Sequence, residues 1–174
     1  MYKIQGFILL ALCLLGSGGV ARSQSKDHEL IANFKTIPFS NLGSVAVIVE
    51  EFDACTKKIG MSAAGLKSHA ELKFRQSGIP VRVIAIDGYE MPTVYVKVNI
   101  LHITGTDQFV YGLSVELNQV VRLLRNERTL LAGTWQKTKM GMTPANRAKQ
   151  TISGTIDSLL ESFMIDYLAV NAKR

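Results

Sequence analysis

Cysteine is nearly absent: the 174 residues hold two, Cys13 and Cys55. Cys13 lies inside an N-terminal apolar run that is expected to be removed. That leaves Cys55 alone, so the remaining chain has no intramolecular disulfide available to it. A lone cysteine is expected to be buried as a small hydrophobe, the alternative being that it pairs between chains. Histidine is equally scarce. His28, His69 and His102 stand far apart and belong to no H-x-x-x-H or Cys/His spacing, so no local metal-ligand pattern exists. The chain also lacks a G-x-S-x-G elbow and a Walker-type phosphate loop. No Asn is followed two positions later by Ser or Thr, so there is no N-glycosylation acceptor. No cofactor and no metal are expected.

Long apolar runs are missing as well, with one short exception. Lys3 precedes Phe7-Ile8-Leu9-Leu10-Ala11-Leu12-Cys13-Leu14-Leu15, and small residues follow up to Ala21-Arg22-Ser23. A bilayer crossing takes about 20 apolar residues, and this run falls short. The pattern is that of an export signal over 1–23 with a small-x-small cleavage site. Leu12 before Cys13, and the position of that cysteine inside the run, do not fit a lipid-anchored cysteine. A periplasmic or secreted location follows, and the lack of both a cysteine pair and a glycosylation acceptor favours a bacterial envelope. The formal charge of +6 includes Lys3 and Arg22 and falls to +4 without them. Such a mild excess, in an exported chain, argues against nucleic acid as partner. No stable membrane insertion is expected once the signal is removed.

What is present is a folding pattern. Residues 24–44 read as a lead-in, and 45–174 as a single α/β domain. Val45-Ala46-Val47-Ile48-Val49 is a β-branched run suited to a strand covered on both faces. Ser62 is placed to cap a helix running to Gln76, with Gly78 to stop it. Leu66, Ala70 and Phe74 share one face of that helix. Residues 79–86 form the next strand, closed by Asp87-Gly88, so strand, helix and strand make a βαβ unit with parallel strands.

The connections then shorten. Val94, Val96, Val98 and Ile100 alternate with Tyr95, Lys97 and Asn99, as in a half-buried strand. Thr104-Gly105-Thr106-Asp107 is hairpin-turn chemistry. Phe109 to Leu117 continues the meander, with an extension through Val121 and Leu123. Arg125 to Arg128 turns the chain, and residues 129–137 return. Thr143 and Pro144 read as the start of a last helix. Ile152, Ile156, Leu159, Leu160, Phe163, Met164, Tyr167 and Leu168 keep the helical period. Ser153-Gly154-Thr155 marks a place for a kink. The expected fold is α+β: a two-layer α/β sandwich with one mixed sheet of about five strands and two main helices on one face.

Three groups of side chains are candidates for a site. Arg122, Arg125 and Arg128 surround one hairpin end, with Lys137 and Lys139 on the returning strand. Such a group can engage an anionic envelope component or an acidic protein face, or simply keep an exposed hairpin soluble. Tyr95, Lys97 and Asn99 are expected on the sheet face left open by the helices. Glu50 and Glu51, at the end of the first strand, stand where α/β sheets place functional groups. They can serve as an acid–base pair or merely end a strand. His102 reads as a partly buried histidine at a strand end.

Three stretches together carry a resemblance. These are residues 45–50, then Glu71-Leu72-Lys73-Phe74-Arg75-Gln76-Ser77-Gly78-Ile79-Pro80-Val81, then Phe163-Met164-Ile165-Asp166-Tyr167-Leu168-Ala169-Val170-Asn171. The chain resembles a group of small, uncharacterised exported bacterial proteins, with Phe74 standing where that group's run has leucine. The resemblance brings no activity and no site residue. In element order alone the chain is similar to the amino-terminal domain of TolB and the periplasmic domain of the curli secretion lipoprotein. Those are envelope assembly modules, which implies a binding function without catalysis. A hydrolase of an envelope polymer using Glu50 and Glu51, and a carrier of a small apolar ligand held between the sheet and the last helix, are the alternatives.

Overall fold

The alternation along residues 94–100 decides which face of the sheet is covered. In the computed structural model, which describes residues 37–83 and 91–171, Val94, Val96, Val98 and Ile100 are buried. Tyr95 and Lys97 between them are partly open and Asn99 is exposed. These residues belong to β2 (Thr93–His102). It pairs in parallel with β1 (Ala46–Val49), with Val47 opposite Val94. On its other side it runs antiparallel to β3 (Gln108–Arg122), with Val96 opposite Val115. Next comes β4 (Thr129–Pro144), antiparallel to β3, so the described sheet has four strands in the order β1-β2-β3-β4.

The strand expected at 79–86 is reduced, among the described residues, to one parallel bridge between Val45 and Val81. Val45 donates to the Pro80 carbonyl and Arg82 donates to the Val45 carbonyl, each at 3.0 Å. Pro80 has no N–H, so the ladder cannot run back through it. The signal segment, the first part of the lead-in and residues 84–90 lie outside the described residues.

Among the described residues, three α-helices accompany the sheet. Helix α1 (Ala54–Lys58) was not legible in the sequence. Its N-cap Asp53 accepts from both the N–H and the hydroxyl of the buried Thr56 at 2.7 Å. Those bonds hold the Asp53 carboxyl below its ordinary value. Helix α2 (Ala63–Gln76) begins as its sequence predicts, with Ser62 Oγ accepting from Gly65 N–H at 3.1 Å. It ends before Gly78, whose φ of 80° suits a residue without Cβ. Leu66, Ala70 and Phe74 are buried on one face, and Leu72 is exposed.

Helix α3 (Ala148–Asn171) corrects the expected start. Thr143 and Pro144 end β4 opposite Phe109 and Gln108, and a 3-10 turn over Ala145–Arg147 intervenes. The buried Thr143 hydroxyl lies 3.2 Å from that of Thr151 instead of capping the helix. The helix runs on through Ser153, Gly154 and Thr155. Ile152, Ile156, Leu159, Leu160, Phe163, Met164 and Tyr167 are buried against the sheet.

An aromatic cluster fills the space between α3 and the sheet. The Phe163 ring centroid lies 5.2 Å from that of Phe74, and 5.4 Å from those of Phe39 and Trp135. Phe39 and Leu42 come from the segment read as a lead-in, yet both are core residues. Tyr167 Oη donates to the Leu42 carbonyl at 2.8 Å, and Asn171 Nδ2 donates to that of Phe39 at 2.7 Å. Tyr167→Phe would leave a carbonyl in the core without this donor. We expect a loss of about 1–2 kcal/mol, read from the urea unfolding midpoint by fluorescence of Trp135, the one tryptophan.

Candidate functional site

Two strands of the sheet are longer than the rest. The last β2–β3 pair is Thr93 with Asn118, whereas β3 and β4 stay paired out to Arg122 and Thr129. Four register pairs, roughly 13 Å of ribbon, therefore project as an arm beyond the neighbouring strand. A bulge marks its root. The register shifts between Leu117 and Asn118, which face Trp135 and Gly133 and leave Thr134 as the extra residue. Gln119 Nε2 donates to the Thr134 hydroxyl at 2.7 Å and to the Pro38 carbonyl at 2.9 Å. Thr134 in turn donates to the Leu117 carbonyl at 3.2 Å. The root is thus tied both to itself and to the start of the described chain.

Beyond the root the arm carries apolar side chains in the open. Val120 is 44% exposed, Leu130 40%, Leu131 51% and Leu124, in the turn, 97%. Val120 and Leu131 are cross-strand partners, and the next pair, Val121 with Leu130, points to the opposite face. Apolar side chains therefore occupy both faces. The turn is held by Leu123 N–H donating to the Arg128 carbonyl and Glu127 N–H to the Leu123 carbonyl, each at 2.8 Å, by Arg128 N–H donating to Asn126 Oδ1 at 3.3 Å, and by Glu127 at φ 59°. Arg122 pairs with Glu127 at 2.9 Å. Arg125 and Arg128 have no ion-pair partner among the described residues, so the tip keeps two net positive charges.

The other basic candidates lie elsewhere. Lys137 is eight residues beyond Thr129 along β4, roughly 27 Å from the tip at the usual strand rise. It sits 3.5 Å from Asp166 and 5.7 Å from the centroid of the Trp135 ring. Lys139 donates to Ser158 Oγ at 3.0 Å. Both lysines thus close the side of α3, and the three arginines form a group without them.

Tyr95, Lys97 and Asn99 do share the sheet face opposite the helices. Lys97 Nζ is 3.4 Å from Glu116 Oε1 and 5.4 Å from the Tyr95 ring centroid. Ser114 Oγ and Gln136 Nε2 donate to the same Glu116 oxygen. The polar centre of this face is therefore satisfied internally. At its far end lie Leu101, Met140 and Met142, all more than half exposed. The sequence signal for the methionines was their alternation with Lys137, Lys139 and Gly141, which the reading of the returning strand stopped short of.

Glu50 and Glu51 are exposed after β1, and neither carboxylate has a side-chain partner among the described residues. Cys55 is half-buried on α1. His102 is exposed rather than partly buried, with its ring edge-on to Phe109 at 5.1 Å. No group of three metal-ligating side chains occurs among the described residues.

One charged cluster escaped the sequence because its members lie 88 residues apart. His69 Nε2 is 2.7 Å from Asp157 Oδ1, and Lys73 lies between Asp157 at 3.0 Å and Glu161 at 3.3 Å. The cluster bounds a shallow groove of about 280 Å³ between α2 and α3, also lined by Ser62, Leu66 and Lys149. Burial disfavours ionised Asp157, but the bonds from His69 and Lys73 outweigh it and hold the carboxyl below its ordinary value. Desolvation likewise opposes the charge on Lys73, which Asp157 and Glu161 nevertheless hold above its ordinary range. A carboxyl depressed in the fold contributes stability above its unfolded pKa and loses it as pH falls through the folded value. Because the site is partly solvated, Asp157→Asn should cost no more than about 1 kcal/mol at neutral pH. Urea midpoints of wild type and variant should converge in acid.

No protein-family model matches the chain, and no curated protein matches it. Among solved structures it is similar to the PelC dodecamer from Paraburkholderia phytofirmans, at 17% identity and a TM-score of 0.36. That likeness covers 78% of this chain and 91% of that one. It is also similar to a minor lipoprotein from Acinetobacter baumannii, at 10% identity and a TM-score of 0.29, over 74% of this chain and 93% of the other. Likenesses this distant carry no residue and no role across to the present chain.

Proposed function

We propose that the protein is an exported, non-enzymatic domain of the bacterial envelope that binds another envelope component through the β3–β4 arm. The observation that supports this reading is the surface of the arm itself. Its leucines are exposed on a two-stranded ribbon with no third layer among the described residues, and two of its arginines lack an acidic partner among them. Two strands alone are marginally stable in water. Exposed apolar surface rimmed by charge marks interaction sites more often than plain solvated surface.

Chemical crosslinking in the source cell tests the reading. We expect one reproducible envelope component to copurify with the protein, and to be lost when Arg122, Arg125 and Arg128 are all changed to Ala. A component retained by that variant would remove the arm from the proposal. Recovery of none, from abundant folded protein, would remove binding altogether.

A further inference from the structure

We infer that the occupant of the arm is an anionic phospholipid surface, with the leucines at the boundary between headgroups and acyl chains and the arginines on the phosphates. This deepens the docking reading above and rests on it.

Two observations select lipid over a protein face. The first is that apolar side chains lie on both faces of the ribbon and in its turn. Val120 and Leu131 point one way, Leu130 the other, and Leu124 is almost fully exposed. A flat protein surface covers one face of a ribbon, whereas a hairpin tip entering a lipid surface end-on removes the apolar side chains of both faces from water. The second is the placing of charge. Arg122, Arg125 and Arg128 occupy the same short tip as the leucines, and an arginine can lay its stem along apolar surface while its guanidinium reaches the headgroups. Glu127, the one acid of the tip, is already engaged by Arg122. Arg125 and Arg128 are left for an external anion.

The test is flotation of the protein, as isolated after export, with phosphatidylcholine vesicles that carry or lack phosphatidylglycerol. Wild type is compared with Leu124→Asp and with Arg125→Ala/Arg128→Ala. All three residues are exposed at the tip, and unchanged Trp135 fluorescence would show each variant folded. We expect wild type to float with the anionic vesicles and to lose binding as salt is raised. A surface cation is worth about a fivefold change in affinity, so the double arginine variant should bind roughly 25-fold more weakly. Leu124→Asp should bind at least tenfold more weakly.

Equal binding by wild type and variants would overturn the assignment of lipid to the arm. Failure of wild type to float with either vesicle would overturn lipid as the occupant. The crosslinking experiment reads the other claim separately: an envelope protein captured by wild type and lost in the arginine variant would leave the docking reading intact while refuting the lipid one.

Discussion

Phe163→Ala should unfold at a much lower temperature than wild type, with a loss of about 3–5 kcal/mol. Phe163 is fully buried, and its ring is in contact with those of Phe39, Phe74, Trp135 and Tyr167. Each of those residues comes from a different part of the chain or a different turn of α3, so no single neighbour can move in to fill the space. Removal of the ring therefore costs both its transfer from water and the cavity left behind. Domains of this size are stable by about 5–15 kcal/mol, so one substitution removes a large share. The loss corresponds to a fall of roughly 10–20 °C in melting temperature. Trp135 reports the change directly, because its indole is edge-on to the missing ring and donates to Asp166 Oδ2 at 2.9 Å. A melting temperature within a few degrees of wild type would mean that α3 is held to the sheet chiefly by other contacts.

Gly141→Val should destabilise by an opposite mechanism, overpacking. Gly141 lies opposite Tyr111 in the β3–β4 register, and the tyrosine ring lies across the space a side chain would need. A Cβ at Gly141 would stand 2.5 Å from Tyr111 Oη and 2.7 Å from Cζ, closer than real carbon contacts allow. Tyr111 is itself buried, so it cannot swing away without opening the core. Glycine is therefore used in this strand for close approach, not for an unusual backbone angle. We expect a cost of about 1–3 kcal/mol, measured by urea unfolding. The mechanism has its own check: in the background of Tyr111→Ala the same substitution should cost clearly less, since neighbouring residues couple. Equal costs in both backgrounds would place the strain elsewhere.

Much of the fold follows from local pattern. Alternation along β2, the Ser62 cap, the Gly78 stop and the stripe from Ile152 to Tyr167 are each set by side chains a few residues apart, and the structure keeps all of them. The elements misjudged are those where distant partners decide. Thr143 and Pro144 look like a helix start, but pairing with Phe109 and Gln108 draws them into β4. Residues 79–86 look like a strand; their described part, to Val83, makes one parallel bridge with Val45, and 84–86 lie outside the described residues. Helix α1 is too short to show a period, and its cap is legible only once Thr56 is seen bonded to Asp53.

The candidate surface divides in the same way. The sequence by itself determined that arginines cluster at a hairpin end, because turn residues and strand alternation are local properties. It also determined that Tyr95, Lys97 and Asn99 share one face, since side chains two apart in a strand must do so. Only the tertiary structure decided that the hairpin outruns its neighbour, for that depends on where β2 ends relative to β3, a register between strands. It likewise decided that Lys137 and Lys139 serve α3, that Glu116 satisfies Lys97, and that His69 meets Asp157 from 88 residues away. Exposure is a property of what fails to cover a residue. No local pattern in the chain could say that none of the described residues covers Leu124.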